Sequence, residues 1–460
     1  MTWQNKRVYV APDNPAGRAL SQTLTEKGAQ VLGRVDNLKH GPGVINRPET
    51  AEEYDAVVVA PGEYQLAIAE GLIARGFNKN TVLLATRSDA VSVSAVPPLS
   101  LWKRLSRTWR KWVSKVLDCL PASGIVYYAE GAADTNILVA FDFHVRHNHR
   151  VSLVVKNAVD KQHPAQHSHP LICRWLLQRA KVLVVDHEFS DPVFNHLRTK
   201  KAVIQLWHGL PFKYLAGNRH FAHVMDHTFV SSSAWFNDNV FPSMFKAQHY
   251  KALGYPRNDA LLQTRSERCW LNCVDEGVMD SFVRGRKLLV YMPTYRDDGN
   301  NDYPIDWRAL DNTLAAINAV CLVKTHPFLC GDNVLKAMPG CERIAVYPGR
   351  MNIYPWLAEA DLLITDYSSV ALDFLLCDKP IIHYCYDYEH YAAVRGQYVI
   401  EQTAFMAGPM VRDANSLIEV ITSELTGDSG AQQRKALRQR YQMVAEPACP
   451  ALVRYLDSLC

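Results

Sequence analysis

The feature that most constrains this chain is a pattern that recurs along nearly its whole length. A short β-branched run ends in polar or small residues, a helical stretch follows, and another such run begins. Residues 6–90 carry KRVYVA, AQVLGRV, DAVVVAP and TVLLAT, with helical stretches near Arg18–Lys27 and Tyr64–Arg75. From Gly124 the pattern resumes with GIVYYAE, VSLVVKN, KVLVVDH and AVIQLW, and with a helical stretch at Pro170–Arg179. A third set is KLLVYMPTY, AVCLVKTH, RIAVYPG, DLLITDY and KPIIHYCYD. Continuous apolar strands joined through helices pair in parallel and are covered on both faces. In open sheets of that kind, ligands bind at the carboxyl ends of the strands. Function is therefore to be sought at those ends.

A chain of 460 residues is too long for one ordinary core. We read a small α/β accessory domain over residues 1–92 and a basic amphipathic helix over 93–122. Two Rossmann-like domains follow over 123–262 and 263–430, then a terminal helical tail over 431–460. The accessory domain's first turn, APDNPAG, carries no GxGxxG, so a dinucleotide site is not expected there. Apolar and charged contents of 48% and 21% are those of a soluble globular protein. A net charge of +4 gives no general attraction to polyanions, and no nucleic-acid partner is expected. Eleven irregularly spaced cysteines and a polar start, Met1–Arg7, predict a cytoplasmic protein without a disulfide framework. Cys269 and Cys273 read as buried helix residues. The histidines of His144–His149 and His163–His169 have no cysteine partners at zinc-site spacing, and no DxD-like set is present. No metal and no other cofactor is assigned.

No apolar run approaches the ~20 residues that span a bilayer, so any membrane contact is peripheral. Residues 101–120, LWKRLSRTWRKWVSKVLDCL, are its candidate. Trp102, Trp109 and Trp112 recur at helical spacing with other apolar residues, while Lys103, Arg104 and Arg110 fall mostly on the other side. Tryptophan beside many cations is the composition of a helix lying on an anionic membrane, here the inner face of the cell membrane. The alternative is a surface helix that packs its tryptophans on the protein.

Four strand ends carry chemistry. In QLWHGLPFKYLAG, His208 follows its strand directly, and a neutral imidazole there can take a proton from a hydroxyl. Gly209 allows close backbone approach, and Lys213 stands near enough to serve an anion. A histidine in an ordinary strand-end hydrogen bond is the alternative. In YMPTYRDD, Thr294 and Arg296 offer a hydroxyl and a two-pronged donor suited to phosphate, or else a surface salt bridge to Asp297 or Asp298. Lys324, Thr325 and His326 close the third strand, again a phosphate-suited set. The fourth, DLLITDYSSVALDF, turns through Asp366 into Ser368 and Ser369 at a helix start. Free N–H groups there make an anion site, unless the serine is only a cap. Asp373, along that helix, either orients a neighbour or is solvated.

Together and in this order, the segments resemble the CDP-glycerol glycerophosphotransferase family of teichoic-acid-type polymerases and primases. The resemblance covers roughly Gly124–Asp413. It rests on WHG-x-P-x-K at Trp207–Lys213, GYPRND at Gly254–Asp259, Pro293–Arg296, Lys324–Pro327, the long run Leu363–Tyr391, and Arg395–Gly396. It implies a GT-B-like α/β fold, two Rossmann-like domains facing across a cleft, with the CDP-linked donor on the C-terminal one. It makes His208 the general base and His326 a second catalytic residue. Lys213, Thr294, Arg296, Lys324, Thr325, Asp366, Ser368, Ser369 and Asp373 then lie on the donor side. The implied partners are CDP-glycerol, a glycan or lipid-linked acceptor, and an anionic membrane surface. Leu210, Phe212, Tyr295 and Thr325 depart from commoner family residues without removing a charged group. CDP-ribitol as donor, a nucleotide-sugar glycosyltransferase, and a non-catalytic scaffold are the competing readings.

Overall fold

The computed structural model describes residues 3–13, 15–36, 44–45, 51–61, 65–86, 92–96, 121–131, 133–147, 151–155, 166–167, 169–187, 201–211, 226–294, 296, 303–325, 338, 340–395 and 404–460. The basic tryptophan-rich segment, with Trp102, Lys103, Arg104, Trp109, Arg110 and Trp112, lies outside them. So do Lys213 and His326. The chain divides into two compact units, Met1–Val113 and Ser114–Cys460.

The first unit is one sheet: β1 Arg7–Ala11, β2 Gln30–Val35, β3 Val44–Ile45, β4 Ala56–Val59, β5 Val82–Ala85 and β6 Val93–Ala95. Its order is β3-β2-β1-β4-β5-β6, parallel except at β6. Strand residues Val8, Val10, Val57, Val58 and Val59 are fully buried, because separate apolar clusters cover both faces.

The second unit holds two parallel sheets. One has β7 Ile125–Ala129, β8 Val151–Val155, β9 Gln166–His167, β10 Val182–Val185, β11 Ala202–Gln205, β12 Asp226–Ser231 and β13 Ala247–Ala252, in the order β13-β12-β11-β10-β7-β8-β9. The other has β14 Lys287–Met292, β15 Ala319–Val323, β16 Ile344–Val346, β17 Leu362–Thr365, β18 Ile381–Tyr384 and β19 Met410–Val411, in the order β16-β15-β14-β17-β18-β19. Strands β10, β15 and β17 are buried throughout, as runs such as VLVV and AVCLV require in a sheet covered on both sides. Strand order reverses between β10 and β7 in one sheet and between β14 and β17 in the other. These are the switch points where crevices open.

Residues 431–460 are not a free tail. Helix Ala431–Arg440 packs Leu437, with the following Tyr441, into the large apolar cluster shared by both domains. Helix Ala448–Ser458 then returns to the first sheet, burying Leu452 and Leu456 against Ile125, Ile137 and Val182. The Asp259 carboxylate caps it, accepting from the Ala448 and Cys449 amides at 2.5 and 2.9 Å. Cys269 and Cys273 are buried as expected. They sit in an irregular segment between the helical turn Arg265–Glu267 and the helix Glu276–Val283, not within a helix.

Candidate active site

At the first switch point, three adjacent strand ends supply Glu130, Asp186–His187 and Trp207–His208. Trp207 takes a left-handed φ of 52°. Two buried amides hold it there: Gln205 Oε1 accepts its N–H at 2.9 Å, and Asn136 Nδ2 donates to its carbonyl at 2.7 Å. This turn brings His208 to the surface of the cleft, with its ring centre 4.1 Å from the Trp207 ring. Its Nδ1 lies 3.2 Å from the Asp186 carbonyl oxygen. A carbonyl only accepts, so Nδ1 carries the proton and Nε2 keeps the lone pair. The residue is exposed, but the Trp207 and His187 rings crowd its imidazole. That desolvation, and then the neighbouring His187 charge, push its pKa down. His208 is a neutral imidazole with a free acceptor nitrogen.

The second sheet's strand ends are more closed than expected. Asp366, 1% exposed, accepts from Thr294 N at 2.9 Å, Thr294 Oγ1 at 2.5 Å and Tyr367 N at 2.6 Å. Arg296, 4% exposed, lies 2.9 Å from Asp366 and binds both oxygens of Asp387 at 2.6 and 3.0 Å. Tyr367, Tyr386 and Tyr391 surround its guanidinium at 4.9–5.3 Å. Arg296 and Asp366, both expected on the donor side, pair with each other, and Arg296 pairs also with Asp387. Lys324 is held by protein partners likewise. Its ammonium is buried, donates to the Met351 and Gly349 carbonyls at 2.5 and 3.1 Å, and pairs with Asp134 at 3.3 Å. Thr325 is buried beside it. Ser368 and Ser369 stay half-exposed. The helix they precede is only Val370–Phe374, continuing as a 3₁₀ turn to Cys377, and Ser369 makes no capping bond with its side chain. The helix start expected after the two serines is present, but the helix is short.

Asp373 orients a neighbour, Arg257, and is not solvated. It is fully buried and joins the two domains. Arg257 Nη2 and Tyr354 Oη reach its Oδ2 at 2.5 and 2.7 Å, and Asn258 Nδ2 reaches Oδ1 at 3.0 Å. Arg257 also donates from Nη1 to the His208 carbonyl at 2.7 Å. Asp134 makes a second tie, through Lys324 and the Ile353 amide at 2.9 Å. Between these ties the serine loop meets the histidine turn. A Cβ at Gly209, whose φ is 151°, would stand 2.7 Å from Ser369 Oγ and 3.2 Å from Arg257 Nη2. Only glycine fits.

Of the expected site residues, the structure brings His208, Ser368, Ser369 and, half-buried, Thr294 to the open strand ends. Sequence reasoning missed Arg257, Asn136, Asp387 and the Asp186–His187 pair. GYPRND and KVLVVDH were both visible, but a strand-end carboxylate or an arginine in a turn does not reveal its partner across 116 residues.

Two parallel Rossmann-like sheets joined by a returning helix, with chemistry at facing strand ends, define a GT-B-like transferase class. The sequence profile described as CDP-Glycerol:Poly(glycerophosphate) glycerophosphotransferase matches residues 125–446, and the chain belongs to that family. It is 24% identical over 312 residues to the teichoic acid glycerol-phosphate transferase of Staphylococcus aureus, covering 60% of this chain and 77% of that one. It is 26% identical over 270 residues to the same organism's teichoic acid ribitol-phosphate polymerase TarK, covering 54% of this chain and 51% of that one. The chain therefore spans about half the length of that polymerase. The solved wall teichoic acid polymerase TagF shares the fold: the TM-score is 0.63 at 19% identity, over 78% of this chain and 98% of that one.

Proposed function

We propose that this protein transfers glycerol phosphate from CDP-glycerol to an acceptor hydroxyl on a cell-surface glycan or lipid-linked polymer, releasing CMP. One observation carries the reading: His208 keeps an unprotonated Nε2, and the next residue, Gly209, meets Ser369 of the other domain. Nε2 takes the acceptor's proton as its oxygen attacks the glycerol-bearing phosphorus. The bond to the CMP oxygen breaks, and charge grows on the departing phosphate. Ser368 and Ser369 serve the donor diphosphate, with His326 and Lys213 as the cations that the family resemblance assigns to it. Positioning and charge stabilisation are the main requirements of such a transfer.

The test is CMP release from CDP-glycerol in the presence of a glycan- or lipid-bearing membrane extract. Release no greater than that of His208→Ala would refute the reading. CDP-ribitol runs beside it, because one relative is named for glycerol phosphate and another for ribitol phosphate. Faster turnover of CDP-ribitol reassigns the donor. The reading assigns no metal, so chelator leaves CMP release unchanged.

Among the described residues no helix is long and apolar enough to cross a membrane. Peripheral placement on the inner face of the cell membrane belongs to the same proposal. It rests on the composition of residues 101–120, and the test is co-sedimentation with anionic vesicles. Unchanged binding after Trp102, Trp109 and Trp112 are replaced by serine would refute it.

A further inference from the structure

Beside His208 stands a second histidine that the reaction as written does not use. His187 lies two residues past the end of β10, its side chain is 43% exposed, and its Nδ1 is 2.8 Å from Asp186 Oδ1. Asp186 is 1% exposed, and its other oxygen accepts from Thr135 Oγ1. A carboxylate buried this way is a fixed counter-charge for one imidazolium. The His187 ring stacks on that of His208 at 4.6 Å and 18°. Both Nδ1 atoms are thus anchored on Asp186, one on its side chain and one on its carbonyl. Both Nε2 atoms lie on the ring edges away from it.

We propose that His187, held by Asp186, is the acceptor-side cation of the site: its Nε2–H donates to a non-bridging oxygen of the phosphoryl group in transfer. This rests on the phosphoryl-transfer reading above. The bond from acceptor oxygen to phosphorus forms, and the bond from phosphorus to the CMP oxygen breaks. The acceptor's proton ends on His208 Nε2, and His187 keeps its own throughout. Among the described residues, other cations near the strand ends are already engaged: protein carboxylates and carbonyls hold Arg257, Arg296 and Lys324. The titratable and charged groups facing His187 are Asp186 on its own strand end, Glu130 after β7, the neutral His208 after β11 and Arg257 after β13. Burial and Arg257 work against its protonation, but Asp186, by charge and hydrogen bond, and Glu130 outweigh them, so its pKa moves up. That of His208 moves down. Two adjacent imidazoles with opposite shifts divide into a cation and a base.

The test is the pH dependence of kcat/KM for CMP release in wild type, His187→Gln and His187→Lys. Wild type loses rate as His187 deprotonates at alkaline pH. His187→Gln falls by about 100-fold and lacks that alkaline limb, as expected for removing one group that stabilises charge in the transition state. His187→Lys recovers part of the rate and moves the limb to higher pH, which a purely structural residue would not do. A glutamine variant within threefold of wild type that keeps the limb would overturn the proposal. A second measurement is independent of the donor: histidine titration by NMR on the full chain, with His187 assigned by its loss in the variant. His187 titrating below His208 overturns the cation role even where CDP-glycerol is turned over. If the order is right but CDP-glycerol is not turned over, the fault lies with the donor assignment alone.

Discussion

Replacing Asp373 with alanine removes the acceptor on which three donors from two domains converge. The Arg257 side chain is 6% exposed and Asp373 is fully buried, so solvent does not readily take the carboxylate's place. Stranding one buried charge of such a pair costs about 3–5 kcal/mol. Asn258 Nδ2 and Tyr354 Oη also lose their acceptor. Orphaned neutral donors cost about 1–3 kcal/mol each before relaxation, which places the total toward the upper end of that range. In urea, with an m-value near 3 kcal/mol/M, the midpoint for the second unit falls by about 1.5 M. Asp373→Asn keeps one acceptor oxygen and falls less. The double variant Arg257→Met, Asp373→Leu recovers most of the loss, because an apolar pair leaves no charge stranded. A midpoint shift below about 0.3 M in Asp373→Ala, or a double variant no better than the single one, would refute this account.

Gly209→Ala adds a Cβ 2.7 Å from Ser369 Oγ at a positive φ, so it loses at least about tenfold in kcat with a cost of about 1–3 kcal/mol; steady-state kinetics and thermal melts check both. Asp366→Asn removes a charge that neutralises Arg296 and weakens the hold on Thr294, so CDP-glycerol binds more weakly by calorimetry while the fold survives in far-ultraviolet circular dichroism. His383 is buried, with Nδ1 against the Asp366 carbonyl, so Nε2 must be the acceptor for the Ala407 amide, and its pKa falls to about 4. The unfolded chain then binds more protons between about pH 4 and 6.5, so stability falls as pH drops through that window, by at most about 1.4 kcal/mol per unit. His383→Gln flattens that part of the urea-midpoint-against-pH curve; an unchanged slope would show that another group is responsible.

The strands were legible because burial on both faces leaves an apolar run in the chain itself, as at VLVV and LLIT. Strands β12, DHTFVS, and β13, AQHYKA, were not. Thr228 is polar yet buried, bonded to Tyr455 at 2.5 Å, and β13 is a half-exposed edge. The positions of Arg296 and Lys324 after strand ends, and of Asp373 in a helix, were also readable. What each faces was not. Whether a cation meets a phosphate or a carboxylate depends on groups such as Asp387 and Asp134, which only folding brings alongside. His208 could be read because its partner is a backbone carbonyl and its place after β11 is local. His187 was hidden by its own strand, whose polar end went unweighed.

The returning helix sets a schedule for synthesis. The core around Ile125, Ile137 and Val182 is completed by Leu452 and Leu456, some 200 residues after its last strand ends at Ala252. At about 5–20 residues per second, the ribosome needs on the order of 10–40 s to deliver that helix. During this interval the first Rossmann-like sheet exposes the apolar groove that Leu452 and Leu456 will fill, while the second sheet is still being made. A nascent chain stalled after Val411 should therefore be a chaperone client through its earlier domain, although every strand of both sheets has already been made.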